Sequence, residues 1–303
     1  MEKIFNKKWI GILIGVVAFC ALMIGLIVMF FPEAVDDSRS GRGIGFYVDG
    51  KFEGEEGGGF VMGFGKGGKR KVFSESLALE KEENILVVSD VTDVKVLPHD
   101  GERLDIEYEA YEDSTFEVSR REGQIEITAK IHPKRRSPQR LHLLIRCPRD
   151  WDKDLEIRSD VGDLKLEGDY RKLRLRSDVG NIDVKGSAER MDAEVSVGDL
   201  RAAGSFGSAD LQSDVGSIDF ATDRMTEGVY ELKSDVGDID VRIPQDADVS
   251  MQAEVEVGSL SCTAKLDQIR QTGVIEKSLT AKNRDGRAKL QISADTGSIS
   301  IKN

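Results

Sequence analysis

Residues 155–184 read LEIRSDVGDLKLEGDYRKLRLRSDVGNIDV, a stretch in which one short phrase occurs twice, first around Gly162 and then around Gly180. The phrase recurs along the C-terminal half of the chain, and its seven glycines are Gly162, Gly180, Gly198, Gly216, Gly237, Gly258 and Gly297. Most of them follow one another at a nearly constant spacing, and an earlier, glycine-free repeat lies at Thr92. A fixed period of about 20 residues is typical of a solenoid, in which each repeat buries its apolar side only against its neighbours.

Each repeat predicts two short strands with a turn between them. In the first repeat, Leu155 and Val161 share one parity and charged residues share the other, which is typical of a half-buried strand. After Gly162 the apolar parity shifts to Leu164, so a turn at Val161–Gly162 would keep both strands facing one interior. Glycine suits such a turn because it adopts positive φ. We therefore expect Gly180→Val to destabilise the domain and Gly180→Asn to be milder.

The predicted fold class is all-β: a parallel β-helix-like solenoid of 18–21-residue repeats that stack in sequence order. Stacked strands about 4.8 Å apart would form two parallel sheets around a continuous apolar core. The handedness of the coil is left open. The predicted inward ladders are Leu155, Leu173, Leu211 and Leu232 in one sheet and Leu164, Ile182, Leu200, Ile218, Ile239, Leu260 and Ile299 in the other. Ala193 and Ala202 predict a local narrowing of the coil.

The start of the chain predicts a membrane anchor and a tether. Residues 9–31 contain no charged side chain and are long enough to cross a bilayer, so we expect one transmembrane helix that acts as an uncleaved signal anchor. The lysines in residues 1–8 favour a cytoplasmic N-terminus, which would place the C-terminal domain of this single-pass chain outside the cell membrane. A cleaved signal peptide is the alternative. Residues 32–71 are glycine-rich and predict a flexible tether.

Two further segments lack the repeated phrase. Residues 72–150 contain alternating strands separated by turn signals, which predicts an antiparallel meander ahead of the solenoid repeats of residues 151–303. This meander is expected to cap the solenoid, because an open sheet edge invites association. The long gap between Gly258 and Gly297 predicts a loop or hairpin over residues 263–288.

The part of the chain predicted to lie outside the membrane is acidic, with 40 Lys and Arg against 54 Asp and Glu and a net charge near −14. This charge argues against nucleic acid as a partner and favours metal cations, cationic peptides or basic surfaces. Envelope components and other membrane proteins are further candidate partners. The predicted binding face consists of acidic residues at outward parity, Glu156, Asp160, Glu194, Asp214 and Asp235. Residues 132–140 form a basic exception, interpreted either as a solvated hairpin tip or as a contact for anionic envelope polymers.

Aspartates recur on both sides of the glycine. Those before it are Asp160, Asp178, Asp214, Asp235 and Asp295, and those after it are Asp163, Asp199 and Asp238. We interpret the first set as turn caps, whose carboxylates accept hydrogen bonds from backbone N–H groups two residues on. Calcium binding is the alternative, because stacked carboxylates supply the oxygen ligands that Ca²⁺ prefers. No metal site and no cofactor are predicted.

Few residues suggest catalysis. A glycan-active enzyme needs an acid and a base in a cleft, and the three histidines all precede the repeats. No nucleophile motif is present, so no catalytic residue is predicted and the chain is interpreted as a non-enzyme. Cys147 and Cys262 both fall at inward parity and are interpreted as buried thiols, with a disulfide as the alternative.

The repeated SDVGDI motif, the LIRCP segment at 144–148 and the closing DGRAKLQISADTGSISI at 285–301 together resemble the bacterial "putative adhesin" β-strand-repeat family. With its charged tip, single anchor and tether, the chain resembles in particular the LiaG-type membrane-anchored members. The resemblance implies an extracytoplasmic β-solenoid linked to the envelope-stress response, and it offers no catalytic residues. The predicted function is therefore a membrane-anchored binding or scaffold module of the cell envelope. The alternatives are an adhesive or structural surface protein and a glycan-active enzyme.

Overall fold

The computed structural model describes residues 70–79, 83–111, 114–121, 123–131, 141–273 and 276–303. Three predicted segments lie outside these ranges: the cytoplasmic N-terminus, the transmembrane anchor and the basic segment at 132–140. Of the predicted tether, only its last two residues, 70 and 71, are described. Within these ranges, no helix has the length and apolar character needed to cross a membrane. The first strand begins at Arg70, just before the predicted start of the capping segment.

The described residues are almost entirely β-structure. In chain order the eighteen strands are β1 Arg70–Ala78, β2 Asn84–His99, β3 Arg103–Tyr111, β4 Thr115–Arg121, β5 Gln124–Lys130, β6 Leu141–Pro148, β7 Asp154–Val161, β8 Leu164–Val179, β9 Ile182–Val197, β10 Leu200–Phe206, β11 Ala209–Val215, β12 Ile218–Met225, β13 Val229–Val236, β14 Ile239–Arg242, β15 Val249–Cys262, β16 Gln268–Thr272, β17 Lys277–Lys282 and β18 Ala288–Lys302. The predicted all-β class is confirmed for this part of the chain.

Two largely parallel sheets enclose the core. Each coil contributes a strand to the first sheet, turns a corner at the repeated glycine and continues into the second sheet. In the first sheet, β7 pairs in parallel with the second half of β8, which places Leu155 opposite Leu173. In the second sheet, the first half of β8 pairs in parallel with β9, which places Leu164 opposite Ile182. This winding, with one strand of each coil in each sheet, fits a solenoid.

The core lies between the sheets and contains every residue of the predicted ladders. All eleven are buried in one apolar cluster. Ala193 and Ala202 belong to the same cluster. In the next coil Phe220 lies opposite Ala202, and its ring centroid is 5.8 Å from that of Phe206. A large side chain thus fills the space beside a small one.

The valines that precede six of the seven repeated glycines do not enter the core, which corrects the inward parity predicted at Val161. Val161 is half-buried and Val179 is exposed. The register between coils passes from the pair Ser159–Ser177 to the pair Val161–Val179 and leaves the aspartates between them unpaired. Aspartate and valine therefore both face outward, as in a β-bulge. The bend begins one position earlier than the predicted turn, because the pairing is interrupted at the aspartate.

The repeats do not stack in sequence order, which corrects the prediction. In the first sheet β18 lies between β13 and β15, and in the second it lies between β14 and β15. A Cβ added at Gly297 would contact Gly237, and one added at Gly258 would contact Gly297. Parallel pairing requires only that two neighbouring strands have compatible patterns of inward and outward side chains. The last repeat, β18, can therefore lie in the stack ahead of β15. The antiparallel β16–β17 hairpin lies within residues 263–288 and covers the free side of β15 in the first sheet.

The N-terminal cap is not a simple meander, which is a second correction. Strand β2 is a full coil that pairs in parallel with β5 and β6 on one side and with β7 and β8 on the other. Antiparallel pairing is confined to β1 with β3, β3 with β6, and β4 with β5 at this end. The rings of Phe73, Tyr108 and Phe116 pack with centroids 5.6 to 6.1 Å apart. They fill the core where parallel pairing stops.

Gly180 shows why the corner requires glycine. Its φ is +143°, and φ at the seven repeated glycines lies between +143° and +156°. A Cβ on Gly180 would lie 2.0 Å from the carbonyl oxygen of Gly162 in the preceding coil. A conformation that L-residues rarely adopt and a close backbone contact therefore both exclude a side chain. The milder effect expected for asparagine loses its basis, because asparagine tolerates φ near about +57° and not this region.

A second glycine column, absent from the predictions above, lies at the opposite corner. Gly168, Gly186 and Gly204 are aligned in three successive coils, and all have positive φ. A Cβ on Gly186 would lie 1.9 Å from the carbonyl oxygen of Gly168. At Gly168 the nearest atom to an added Cβ is the hydroxyl oxygen of Tyr170, at an ordinary 3.5 Å. The two glycines therefore share an unusual φ, but only Gly186 has the backbone contact.

We expect Gly180→Ala and Gly186→Ala each to lower the free energy of unfolding by roughly 3 kcal/mol or more, because strained φ and a backbone clash act together. Gly168→Ala is the matched control: it introduces the strain without the clash and should cost only about 1 kcal/mol. Urea unfolding of the three variants measures the difference. Equal losses in all three would show that the contact between coils does not limit stability.

Candidate functional site

The corner at the repeated glycine presents an exposed column of valines. Of the eight large hydrophobic side chains exposed in the described residues, five precede a repeated glycine: Val179 is 43 %, Val197 49 %, Val215 49 %, Val236 50 % and Val257 61 % exposed. Strand register aligns Val161, Val179, Val197, Val215 and Val236 in five consecutive coils, and the partly buried Val91 of β2 lies opposite Val161. Thr296 follows, and Val257 ends the column. The five consecutive valines and the aspartates directly before them are called the valine–aspartate edge.

An acidic column runs beside these valines. It consists of Asp160, Asp178, Asp214, Asp235 and Asp295, with Ser196 in one coil. Partial burial, together with the carboxylates of Asp90 and Asp178, raises the pKa of Asp160 above its ordinary value. Like charges therefore repel along the first part of the column. Lys233 Nζ lies 3.0 Å from Asp235 Oδ1 and offsets part of the charge further along.

The residue after the glycine, and not the aspartate before it, caps the corner. Asp163 Oδ1 accepts a hydrogen bond from the backbone N–H of Asn181 at 2.8 Å, and Asn181 Oδ1 accepts one from the backbone N–H of Asp199 at 2.9 Å. The same bond runs from Asp163 N–H to Asp93, from Ser217 N–H to Asp199 and from Ser298 N–H to Asp238. The turn caps assigned to the Asp160 column are therefore wrong. The observed bonds join one coil to the next instead of closing a single turn.

Buried serines add a second row of bonds between coils. Ser177, Ser213 and Ser234 each lie three positions before a repeated glycine, and their hydroxyls donate to a glycine carbonyl oxygen of the preceding coil at 3.1 to 3.5 Å. Backbone bonds complete the corner, as where Gly180 N–H donates to the Val197 carbonyl at 2.9 Å. Neither row of side-chain bonds is among the features predicted from the sequence. The signal was the repeated S-D-V-G-D/N pattern, which does not say which coil supplies the partner.

The residues predicted as a binding face separate into two groups. Asp160, Asp214 and Asp235 lie on the valine–aspartate edge, whereas Glu156 and Glu194 lie on the outer face of the first sheet. Glu156 accepts hydrogen bonds from Arg158 and Arg174, each at 2.8 Å. Burial alone would raise the pKa of Glu156, but these bonds outweigh burial and hold the pKa below its ordinary value. Glu194 Oε2 lies 3.4 Å from Arg176 Nε. The two glutamates are therefore engaged in ion pairs.

The remaining candidate groups are metal-ligating clusters, thiols and histidines. No group of three or more His, Cys, Asp and Glu side chains in the described ranges is placed to hold a metal ion. Cys147 and Cys262 are free thiols, so the alternative of a disulfide between them is wrong. Cys147 is buried as predicted, whereas Cys262 is only partly buried, which corrects the prediction for that residue. Burial raises the pKa of Cys147 to about 12 and also raises the pKa of Cys262, which keeps both thiols protonated at neutral pH. His99 Nε2 lies 2.7 Å from the carbonyl oxygen of Arg103 in the N-terminal cap.

Comparison with protein families agrees with this repeating geometry. The model of the Toastrack DUF4097 family matches residues 83–222 and again residues 169–302. The chain belongs to this family. The predicted resemblance to a bacterial adhesin-type repeat family is thereby confirmed, and the LiaG-type subgroup stays a prediction. The overlap of the two matches is expected for a Toastrack domain in which one kind of coil recurs.

Matches to solved structures cover most of the chain. One is a putative cell adhesion protein from Clostridium sporogenes, with 12 % identity, a TM-score of 0.37 and coverage of 77 % of this chain and 99 % of that chain. A putative adhesin from Bacteroides fragilis has 14 % identity, a TM-score of 0.43 and coverage of 76 % and 97 %. A putative adhesin from Parabacteroides merdae has 11 % identity, a TM-score of 0.32 and coverage of 77 % and 97 %. No curated protein matches the sequence.

Asn181→Ala is expected to lower the free energy of unfolding by about 1 kcal/mol, because the backbone N–H of Asp199 loses its acceptor. Asp178→Ala, on the other side of the same glycine, removes a carboxylate that makes no such bond and should change stability by less than about 0.5 kcal/mol. Asn181→Asp keeps the acceptor oxygen but replaces the Nδ2 donor, 3.3 Å from Asp163 Oδ1, with a like charge, so it should recover only part of the loss. Urea denaturation at neutral pH measures all three. Equal losses for Asn181→Ala and Asp178→Ala would contradict the assignment of the cap.

Proposed function

We propose that this Toastrack domain is a surface-displayed binding module of the adhesive type, which captures a cationic partner on its valine–aspartate edge and does not act as an enzyme. The observation that carries the proposal is the exposed valine column beside an acidic column. Single exposed hydrophobic residues are ordinary on protein surfaces, but a contiguous apolar stripe with a polar rim marks an interaction site. The valine column is such a stripe.

The fold does not require valine at this position. Thr296 occupies the same place in the column, where it pairs with Val236 on one side and Val257 on the other. A polar β-branched residue therefore fits the corner without breaking the strand register. Because the half-exposed valines add little to the core, their recurrence supports contact with another molecule.

The charge around the valines favours a cationic partner. The Asp160 column lies on one side of the valines, and Asp163, Asp199 and Asp238 follow the glycine on the other side. The whole chain has a formal net charge of −12. Complementary charge accelerates association and disfavours wrong partners, while apolar contact slows dissociation. The edge offers both kinds of contact within a short stretch of each coil.

We also propose that the module is held outside the cell membrane by the anchor predicted at residues 9–31, with the N-terminus inside. The support is the uncharged length of this segment and the lysines that precede it.

Protease added to intact protoplasts should remove the domain and leave an N-terminal tag protected. A mature chain that begins near Asp36 would instead favour a cleaved signal peptide. The link to envelope stress rests on the family resemblance alone.

Reversing Asp160, Asp178 and Asp214 to lysine should weaken capture of a lysine–leucine peptide about tenfold at low salt, because the acidic column then repels the probe. The difference should shrink at high salt, which screens exposed charges. Glu156 is left unchanged because two arginines bind it. Surface plasmon resonance with the full chain at two salt concentrations measures the effect.

The matched control reverses Asp223, Asp246 and Asp285, which are exposed and lie outside the valine–aspartate edge. This triple variant has the same net charge as the edge variant. Thermal melts of both confirm that the domain remains folded. Equal weakening by the two triple variants would show that the partner responds to overall charge and not to the edge. Absence of capture, or capture indifferent to salt, would overturn the proposal.

A further inference from the structure

We infer that the valine–aspartate edge is a docking track for a cationic amphipathic α-helix, supplied by a free peptide, which lies along the stack of coils with its apolar stripe on the valines. This inference rests on the proposed function and deepens it by specifying the partner's secondary structure and its direction on the domain. It is carried by three observations: the spacing of the valines, the charges on both sides of them, and the repulsion that excludes a second chain of the same kind.

The valine column runs perpendicular to the strands. Val161, Val179, Val197, Val215 and Val236 lie in five consecutive coils. Neighbouring strands are about 4.8 Å apart, so the five valines span about 19 Å. An α-helix of about 13 residues has the same length at about 1.5 Å per residue. The part of the column from Val161 to Val236 therefore matches a helix of three to four turns.

The spacing selects a helix over an extended strand. An α-helix returns to the same face every turn, about 5.4 Å, which differs from the valine spacing by about 0.6 Å. Over about four turns, each apolar residue of the helix therefore stays within half of the coil spacing of its nearest valine. A β-strand places side chains on one face about every 6.7 Å and loses register at the second valine. Only the helix can set successive apolar side chains between successive valines.

Negative charge flanks the valines on both sides. Asp178 and Asp214 precede the glycine, and Asp163 and Asp199 follow it. In the second pair, one carboxylate oxygen accepts the capping bond from the next coil, and the other oxygen of Asp199 lies 2.9 Å from Arg201 Nη2, which offsets part of that charge. A helix with a narrow apolar stripe bordered by lysines or arginines places positive charge against both acidic columns. This is the charge pattern of amphipathic helices whose polar face is rich in Lys and Arg.

The same charges exclude a second copy of this chain as the occupant. Two edges packed face to face would bring the aspartates of both molecules together around the valines. Like charges in such contact are strongly unfavourable, because specificity at interfaces depends on avoiding them. The acidic columns therefore keep the valine columns of two molecules apart and leave them open to a cationic helix.

Two isomeric lysine–leucine peptides, each of about 15 residues so that a helix slightly exceeds the valine column, test the inference directly. In one, leucines recur with helical spacing. In the other, leucine and lysine alternate as in a strand. With the full chain in non-ionic detergent, fluorescence anisotropy should show that the helical isomer binds at least about tenfold more tightly, because only its leucines all meet valines. Equal affinity of the two isomers would overturn the inference.

Substitutions on the edge provide the second arm. Replacing Val179, Val197 and Val215 by threonine should weaken binding of the helical isomer about tenfold, since three apolar contacts are lost. Thr296 shows that threonine fits this column. The matched control replaces Val72, Val229 and Ile269, which are exposed outside the column, by threonine. This control should leave affinity within about twofold. Equal effects of the two triple variants would overturn the inference.

Photo-cross-linking on the unmodified protein removes any dependence on variant folding. A helical isomer with a benzophenone in its apolar stripe should cross-link to residues of the valine column, and cross-links confined to other regions would overturn the inference. The outcomes distinguish failure of the helical partner from failure of the proposed function. If both isomers bind equally and both lose affinity on reversal of Asp160, Asp178 and Asp214, capture by the edge stands and the helical partner does not. If neither isomer binds, both proposals fail.

Discussion

The contact between a glycine and the glycine carbonyl of the preceding coil is the constraint on which the rest of the structure depends. At Gly180 no room exists for a Cβ, because the Gly162 carbonyl oxygen would lie 2.0 Å away. The contact lets each coil reverse direction within a very short stretch of chain. Two sheets can then face each other closely enough to share one core. Wherever the contact recurs, the same corner recurs, and the corner's positive φ is found at all seven repeated glycines.

The corner also creates the surface proposed to bind a partner. Because pairing is interrupted at the aspartate, aspartate and valine both face outward in each coil. The interruption leaves the backbone N–H of the residue after the glycine without a partner in the strand ladder. A side chain of the preceding coil accepts the hydrogen bond from this N–H, as Asn181 Oδ1 does from Asp199. One backbone feature thus determines which residues stabilise the stack and which remain exposed. The valines are exposed by the geometry, but their identity is not required by it, as Thr296 shows.

The ends of the stack follow from the same nearest-neighbour physics. A coil accepts any neighbour with a compatible strand pattern, so β2 and β18 occupy positions that differ from their order in the chain. Antiparallel strands take over where no further coil is available, with β4 and β1 at one end and the β16–β17 hairpin at the other. Phe73, Tyr108 and Phe116 fill the core at the first of these ends. Regular coils and irregular caps therefore have different sequence patterns for a physical reason.

The sequence by itself determined the all-β class, the repeat, the corner glycines and the inward ladders. Each of these is a local pattern. The alternation of apolar and polar residues, such as that from Leu155 to Ser159, determines which face of a strand is apolar. The regular spacing of the repeated motif determines that successive coils have the same structure. The tertiary structure decided the outward turn of the valines, the capping role of Asn181 and the position of β18 in the stack. These features depend on which atoms of a neighbouring coil approach the chain, and a repeated sequence contains no record of which repeat becomes the neighbour.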